Sequence, residues 1–243
     1  MTTPSWLPDK RYYEYLNHKI RKPSATWEKW HPWDEWTYPD EVIVWLSHLI
    51  EKQIPYIRNR RVLDAGCAQG FVSLFCLHND ASYVTGLDVR DTPLELAREV
   101  TKLAGYSNCE FKAGDIQGPE FRDLCDDHDT VLIAGTLQYL TDHHQVLRTV
   151  AESNAQTIIV NSVTSPISAD SRPVVNWSLR PTTQIEEAAY NDPYHPTRTE
   201  LFHGQPNQKW TEQALHSLGF KITYSEIWQV GSGTHYILTG NKS

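Results

Sequence analysis

Several absences narrow the chemistry open to this chain of 243 residues. No apolar run approaches the roughly 20 residues needed to cross a bilayer, and the start, Met1-Thr2-Thr3-Pro4-Ser5-Trp6-Leu7-Pro8-Asp9, lacks the basic-then-apolar order of a secretion signal. A soluble, cytoplasmic protein with no membrane partner is expected. Basic residues are in deficit, 22 Lys and Arg against 30 Asp and Glu for a net charge of -8. No broad cationic surface for a long nucleic acid is offered, although a local basic patch stays open. The cysteines Cys67, Cys76, Cys109 and Cys125 form no Cys-x-x-Cys pair and sit on or beside expected core elements. That pattern fits reduced, buried thiols, with neither a metal site nor a disulfide framework. Internal repeats and low-complexity tracts are missing as well. With 40% hydrophobic residues, the length suits one well-buried domain with additions.

What is present centres on Arg61-Val62-Leu63-Asp64-Ala65-Gly66-Cys67-Ala68-Gln69-Gly70, followed by the apolar run Phe71 to Leu77. The pattern predicts a strand, a glycine turn and a buried helix. A ligand crossing the end of such a strand approaches backbone closely only where no Cβ intervenes, and Gly66 and Gly70 are expected to supply that approach. Tyr83 to Asp88 then reads as a second strand ending in an acid, able to accept hydrogen bonds from both hydroxyls of a ribose. The dinucleotide fingerprint G-x-G-x-x-G is absent, because Ala68 and Phe71 stand where its second and third glycines belong, so a nicotinamide enzyme is disfavoured.

The turn resembles the cofactor loop of class I S-adenosylmethionine-dependent methyltransferases, an acid followed by three alternating glycines. Asp64, Gly66 and Gly70 match, and Ala68 replaces the middle glycine. Asp88 falls where that family places its ribose-binding acid. Phe111-Lys112-Ala113-Gly114-Asp115-Ile116 looks like the family's third strand end, whose acid faces the adenine amino group. Asp129 to Leu140 is similar to the fourth strand and to the turn beside the transferred methyl group. The resemblance spans roughly residues 57 to 163. It implies cofactor contacts from Asp64, Gly66, Cys67, Ala68 and Gly70 at the first strand, and from Asp88 and Val89 at the second. Asp115 and Ile116 follow at the third strand, Gly135 and Thr136 at the fourth. The implied fold is α/β and Rossmann-like, a mostly parallel seven-stranded sheet with helices on both faces and a C-terminal antiparallel hairpin strand.

The rest of the chain fits around this unit. Residues 1–56 form an expected N-terminal helical cap of the same domain, with helices over Arg11 to Ile20 and Asp40 to Lys52. Between them four of the nine tryptophans, Trp27, Trp30, Trp33 and Trp36, fall within ten residues. Most suit packing on the sheet, and one or two suit a substrate wall or a face toward the sulfonium. Helices are expected from Pro93 to Leu103, Asp142 to Glu152 and Gln208 to Leu218, the last stopped by Gly219. Strands are expected at Asn108 to Lys112 and Ala155 to Ser162, with a closing hairpin of 220–230 and 234–239. From 164 to 207 the periodicity is lost among prolines, and this stretch is expected to be a lid-like, structureless insertion.

Methyl transfer from a sulfonium mainly requires positioning and exclusion of water, with a base only where the nucleophile must lose a proton. Candidates for catalysis are Tyr139, in the turn after the fourth strand, His143 on the next helix and His195 on the insertion. Substrate contacts are assigned to Trp30, Trp33, Trp36 and His203. The expected activity is methyl transfer to a small or medium-sized acceptor, with O-methylation as one option, by a monomer or homodimer. Two alternatives stand beside it: a non-catalytic S-adenosylmethionine-binding module, and an RNA-modifying enzyme using Lys19, Arg21, Lys22, Arg58, Arg60 and Arg61. The Asn/Asp-Pro-Pro-Tyr turn of amino-methylating DNA enzymes is absent.

Overall fold

In strands β1 (Arg61–Ala65), β4 (Thr130–Ala134) and β5 (Thr157–Thr164), apolar residues fill both faces. Leu63, Ala65, Val131, Ile133, Ile158 and Val160 share one buried cluster, whereas Val62, Leu132 and Ile159 between them belong to another. This period-two division is that of a sheet covered on both sides. A computed structural model describes residues 5, 7–9, 11–12, 47–164, 172–181, 200–230 and 233–242.

The remaining strands are β2 (Tyr83–Asp88), β3 (Cys109–Ala113), β6 (Val175–Pro181), β7 (Glu200–Pro206), β8 (Phe220–Val230) and β9 (Gly233–Lys242). Seven of them form one sheet in the order β3-β2-β1-β4-β5-β9-β8. The first five run parallel, and β9 runs antiparallel to both β5 and β8. The carboxyl ends of β1 to β5 therefore lie along one edge, and the order reverses between β1 and β4. That reversal opens a crevice in which ligands of open α/β sheets are held.

Helix α1 (Ile54–Ile57) leads into β1. Helix α2 (Phe71–His78) packs Val72, Phe75, Cys76 and Leu77 on one face with Leu49, Ile50 and Ile57. Helices α4 (Glu120–Asp126), α5 (His143–Glu152) and α6 (Gln208–Ser217) cover the other with Phe121, Cys125, Val146, Leu147, Val150, Ala214 and Leu215. Helix α3 (Asp91–Leu103) buries Leu94 and Ala97 against Cys67 and Phe111. Caps fix two of the starts. The Asp142 carboxylate accepts the Gln145 N–H at 2.9 Å, and the Asn207 side-chain oxygen accepts that of Trp210 at 2.8 Å. Gly219, at φ +87°, ends α6.

Two expectations need correction. Helix α3 starts at Asp91, two residues before Pro93, because proline is well tolerated in a first turn where its missing N–H costs nothing. The insertion is not structureless: β6 and β7 pair antiparallel in a second, two-stranded sheet, with Trp177 opposite Gly204. Residues 165–171 and 182–199 of that insertion, and most of the expected cap including residues 13–46, lie outside the described residues.

Candidate functional site

The glycine turn bends back on β1 through backbone that L-residues avoid: Gly66 at φ +84°, Ala68 at +46° and Gly70 at +73°. A Cβ on Gly66 would lie 2.2 Å from Thr136 Oγ1, and one on Gly70 would lie 2.6 Å from Ala97 Cβ. Both glycines are therefore required by the protein's own packing, against the β4 turn and α3. That requirement stands beside the expected close approach of a ligand. The N–H groups of Gly66 and Cys67 donate to the Leu87 carbonyl at 2.7 and 2.9 Å, so this turn is strapped to β2. Cys67 is buried beneath it beside Phe111.

Three acids mark successive strand ends, in three different states. Asp64 is 1% exposed and accepts the Ser73 hydroxyl at 2.6 Å. Burial, with Asp88 nearby, raises its pKa to about 7 although Ser73 opposes the shift. Asp115 is exposed and turns inward on its own loop, accepting the Gln117 N–H at 2.8 Å, while Ile116 beside it is buried. Val89, 45% exposed, presents an apolar surface next to the Asp88 carboxylate.

Asp88 is the most fully engaged of the three. Its Oδ1 accepts the Arg90 N–H at 3.1 Å and Nε at 2.8 Å. Its Oδ2 accepts the Ala68 N–H at 2.9 Å and Arg90 Nη2 at 3.1 Å. A carboxylate has about four lone-pair positions, so all are filled. The guanidinium takes one position on each oxygen, as the two hydroxyls of a ribose do. The residues thus fit an adenosine-bearing cofactor provided that the Arg90 side chain turns away.

Beyond β4, Thr136 contacts the Gly66 and Ala134 carbonyls at 3.3 Å each. Gly135, at φ +66°, has open space where a Cβ would be. Tyr139, 37% exposed, ends the 3-10 turn Leu137–Tyr139 on the same edge. His143 is placed differently from a solvent-facing base. It is 4% exposed, its Nε2 is 3.0 Å from the Gly204 carbonyl, and its ring lies 5.3 Å from Trp177 and 5.8 Å from Trp210. Burial lowers its pKa, and these contacts clamp the β6–β7 pair to the start of α5. His195, Trp30, Trp33 and Trp36 lie outside the described residues, and His203 is described by its backbone alone, opposite Ser178.

The alternative basic cluster falls elsewhere. Arg61 opens β1 and binds the Asp127 carbonyl at 2.8 Å, and Arg58 pairs with Asp80 at 3.4 Å. These residues stand at the amino edge of the sheet, opposite the glycine turn. Lys19, Arg21 and Lys22 lie outside the described residues.

A further group, without a local sequence signal, stands at the carboxyl end of β5. His48 stacks on Trp228 with ring centroids 4.3 Å apart, and Trp228 stacks on His235 at 5.8 Å. Glu226 accepts from Tyr224 and lies 2.8 Å from His48 Nδ1. The alternation of β8 and β9 was legible, but neither strand's sequence indicates its cross-strand partner.

The seven-stranded order and the glycine turn at the reversal define the class I methyltransferase fold. Solved structures share it at low identity. An S-adenosylmethionine-dependent methyltransferase from Mesorhizobium loti superposes with a TM-score of 0.57 at 18% identity, covering 81% of this chain and 97% of that one. Magnesium protoporphyrin IX methyltransferase from Synechocystis PCC 6803, with bound S-adenosylhomocysteine, gives 0.59 at 15% identity over 96% and 99%. Ribosomal protein L11 methyltransferase of Caldanaerobacter subterraneus is 40% identical over 55 residues, 23% of this chain and 18% of that protein. The match thus spans less than a fifth of that relative's length. Residues 58–209, more than half of the chain, match the family model described as a methyltransferase domain. The chain belongs to that family.

Proposed function

We propose that this enzyme transfers a methyl group from S-adenosylmethionine to a hydroxyl of a small or medium-sized acceptor. The observation that carries the reading is the set of groups along one sheet edge: the Gly66–Gly70 turn, the Asp88 carboxylate beside exposed Val89, and the β4 turn with Gly135, Thr136 and Tyr139. In this reading Asp88 accepts the ribose hydroxyls once Arg90 turns away, and Val89 and Ile116 flank the adenine, with Asp115 at its amino group. Asp64 and Ser73 anchor the turn beneath the amino-acid portion of the cofactor, where Cys67 and Ala68 shape the backbone.

The bound cofactor supplies the electrophilic methyl carbon. The chain orients both reactants at the edge and keeps water out. Tyr139 stands where it can steady the acceptor, and His143 acts by clamping the β6–β7 pair. His195, His203, Trp30, Trp33 and Trp36 remain assigned to the acceptor side. Placement of Arg58 and Arg61 at the opposite edge favours a compact acceptor over RNA. The test is formation of S-adenosylhomocysteine with matched hydroxyl and amine acceptors. Turnover confined to hydroxyl compounds is expected. Turnover of RNA or of amines alone overturns the acceptor class.

A further inference from the structure

Among the described residues, three buried side-chain polar atoms have no hydrogen-bond partner: Asn176 Nδ2, Trp228 Nε1 and His235 Nδ1. Leaving such an atom unpaired forfeits its solvation without return, and native proteins keep few of them without a reason. All three belong to strands that follow β5 in the chain, on β6, β8 and β9. None lies on β1 to β3, where the cofactor groups are.

Register places two of them near the chemistry. His235 pairs with Val163 of β5 on one side and Trp228 of β8 on the other. Asn161 of β5 pairs with Ala134, the last residue of β4, so Val163 and His235 lie two residues further toward the carboxyl edge, level with the Gly135-Thr136 turn. Strands are spaced about 4.8 Å apart, so β9 stands about 10 Å from β4. That distance suits the length of a compact acceptor. The Trp228 ring is held between His48 and His235, and His48 is itself fixed by Glu226. The two orphaned groups are thus carried on a rigid stack.

Their chemistry is complementary to one functional group. An indole N–H only donates, whereas the unprotonated nitrogen of a neutral imidazole, Nδ1 in the Nε2–H tautomer, accepts. One donor and one acceptor match a lone pair and the proton of a hydroxyl. We infer that Trp228 and His235 form the acceptor-hydroxyl site, Trp228 donating to the oxygen and His235 Nδ1 taking its proton. This rests on the methyl-transfer reading and names the acceptor site within it. Burial lowers the His235 pKa, which keeps the ring neutral and able to accept. Among the described residues, the titratable groups around the stack include His48, Glu226, Tyr224 and Lys52.

In the step, the acceptor O–H proton moves to His235 Nδ1 while an oxygen lone pair forms the new O–C bond to the sulfonium methyl. The C–S bonding pair stays on sulfur, giving the neutral thioether. His235 is left as imidazolium and returns its proton to water.

The test uses the full chain saturated with S-adenosylhomocysteine, 15N-labelled in histidine and tryptophan, with phenol, aniline and toluene as probes of one shape. Phenol is expected to shift the His235 and Trp228 side-chain resonances saturably. Its binding weakens about tenfold in His235→Ala and about fivefold in Trp228→Phe, which keeps the ring but not the N–H. Unmoved resonances with phenol, or equal shifts with toluene, overturn the site, and aniline binding as tightly as phenol overturns the hydroxyl class. Failure of the protein to saturate with S-adenosylhomocysteine sinks the methyl-transfer reading itself, whereas saturation with a silent phenol sinks only the acceptor site. In turnover of a phenolic acceptor, His235→Ala lowers kcat by on the order of 100-fold at unchanged cofactor affinity. Wild-type kcat in that variant removes the proton-accepting role.

Discussion

The two halves of the sheet edge differ in how their polar groups are employed. Around β1 to β3 the protein satisfies itself: Asp88 has four donors, Asp64 holds Ser73, and the turn amides of Gly66 and Cys67 are bound to Leu87. Past β5 the buried Asn176, Trp228 and His235 atoms have no partner. In the proposed reading, the cofactor is met by a half whose geometry is fixed in advance, with one side chain, Arg90, occupying the ribose positions on Asp88. In the same reading, the acceptor is met by Trp228 and His235, groups that the acceptor would complete.

The largest expected effect comes from breaking the fixed half at its centre. Gly66→Val drives a Cβ into Thr136 and forces a β-branched residue to φ +84°. A destabilisation on the order of 5 kcal/mol and loss of cofactor binding are expected in chemical denaturation and calorimetry. Wild-type stability would show that the turn is not strapped to β4.

Asp64 comes next. Its pKa in the fold, about 7, lies above the ordinary 3.8, so the folded state holds the proton more tightly than the unfolded one. The stabilising contribution is full below about pH 4 and is lost as pH rises through about 7, a change of about 4 kcal/mol. The difference between wild-type and Asp64→Asn stability curves isolates this carboxyl from buried His128 and His143, whose lowered pKa values act with the opposite sign. A pH-independent difference would place Asp64 in contact with water.

Substitutions at the Asp88–Arg90 pair sharpen the contrast by acting in opposite directions. Asp88→Ala removes the ribose acceptor and releases Ala68, weakening S-adenosylmethionine binding by about 1–3 kcal/mol. Arg90→Ala frees the carboxylate and strengthens binding by about 1 kcal/mol. Equal weakening in both variants, measured by calorimetry, means that Arg90 holds the cofactor instead of occupying its place.

The smallest effect is at Ala68, whose φ of +46° costs an alanine about 1 kcal/mol relative to glycine. Ala68→Gly is expected to leave stability unchanged or raise it by up to about 1 kcal/mol, since glycine's larger unfolded-state entropy offsets part of the relief. A loss above that, seen in thermal unfolding, contradicts the strain.

The same division decided what the sequence disclosed. Strands β1 to β5 and helices α2, α3 and α5 were legible because apolar runs alternate with helical segments, and Asp64, Asp88 and Asp115 follow the first three strands in family order; helix α4 carries too short an apolar pattern to announce itself. The roles of Gly66 and Gly70 were only partly legible, because Thr136 and Ala97, which exclude a side chain there, are distant in sequence. The strands of the insertion were missed although Val175, Trp177 and Leu179 alternate with polar residues, because Pro173, Pro181 and Pro206 bound them. Gly204 also interrupts β7, and it is required there by Trp177 and His143, whose ring atoms would lie 2.3 and 2.7 Å from a Cβ. His143 looked available at a helix start and is instead buried between β7 and two indoles. Trp228 and His235 carried no local signal, since their pairing exists only across β8 and β9.

The most direct test of the central claim is calorimetric titration of the protein with S-adenosylmethionine, with S-adenosylhomocysteine and NAD in parallel. Micromolar binding of both sulfur nucleosides and none of NAD is the predicted result. Binding of NAD, or of neither sulfur nucleoside, would contradict the assignment of the β1–β3 edge as the cofactor's seat.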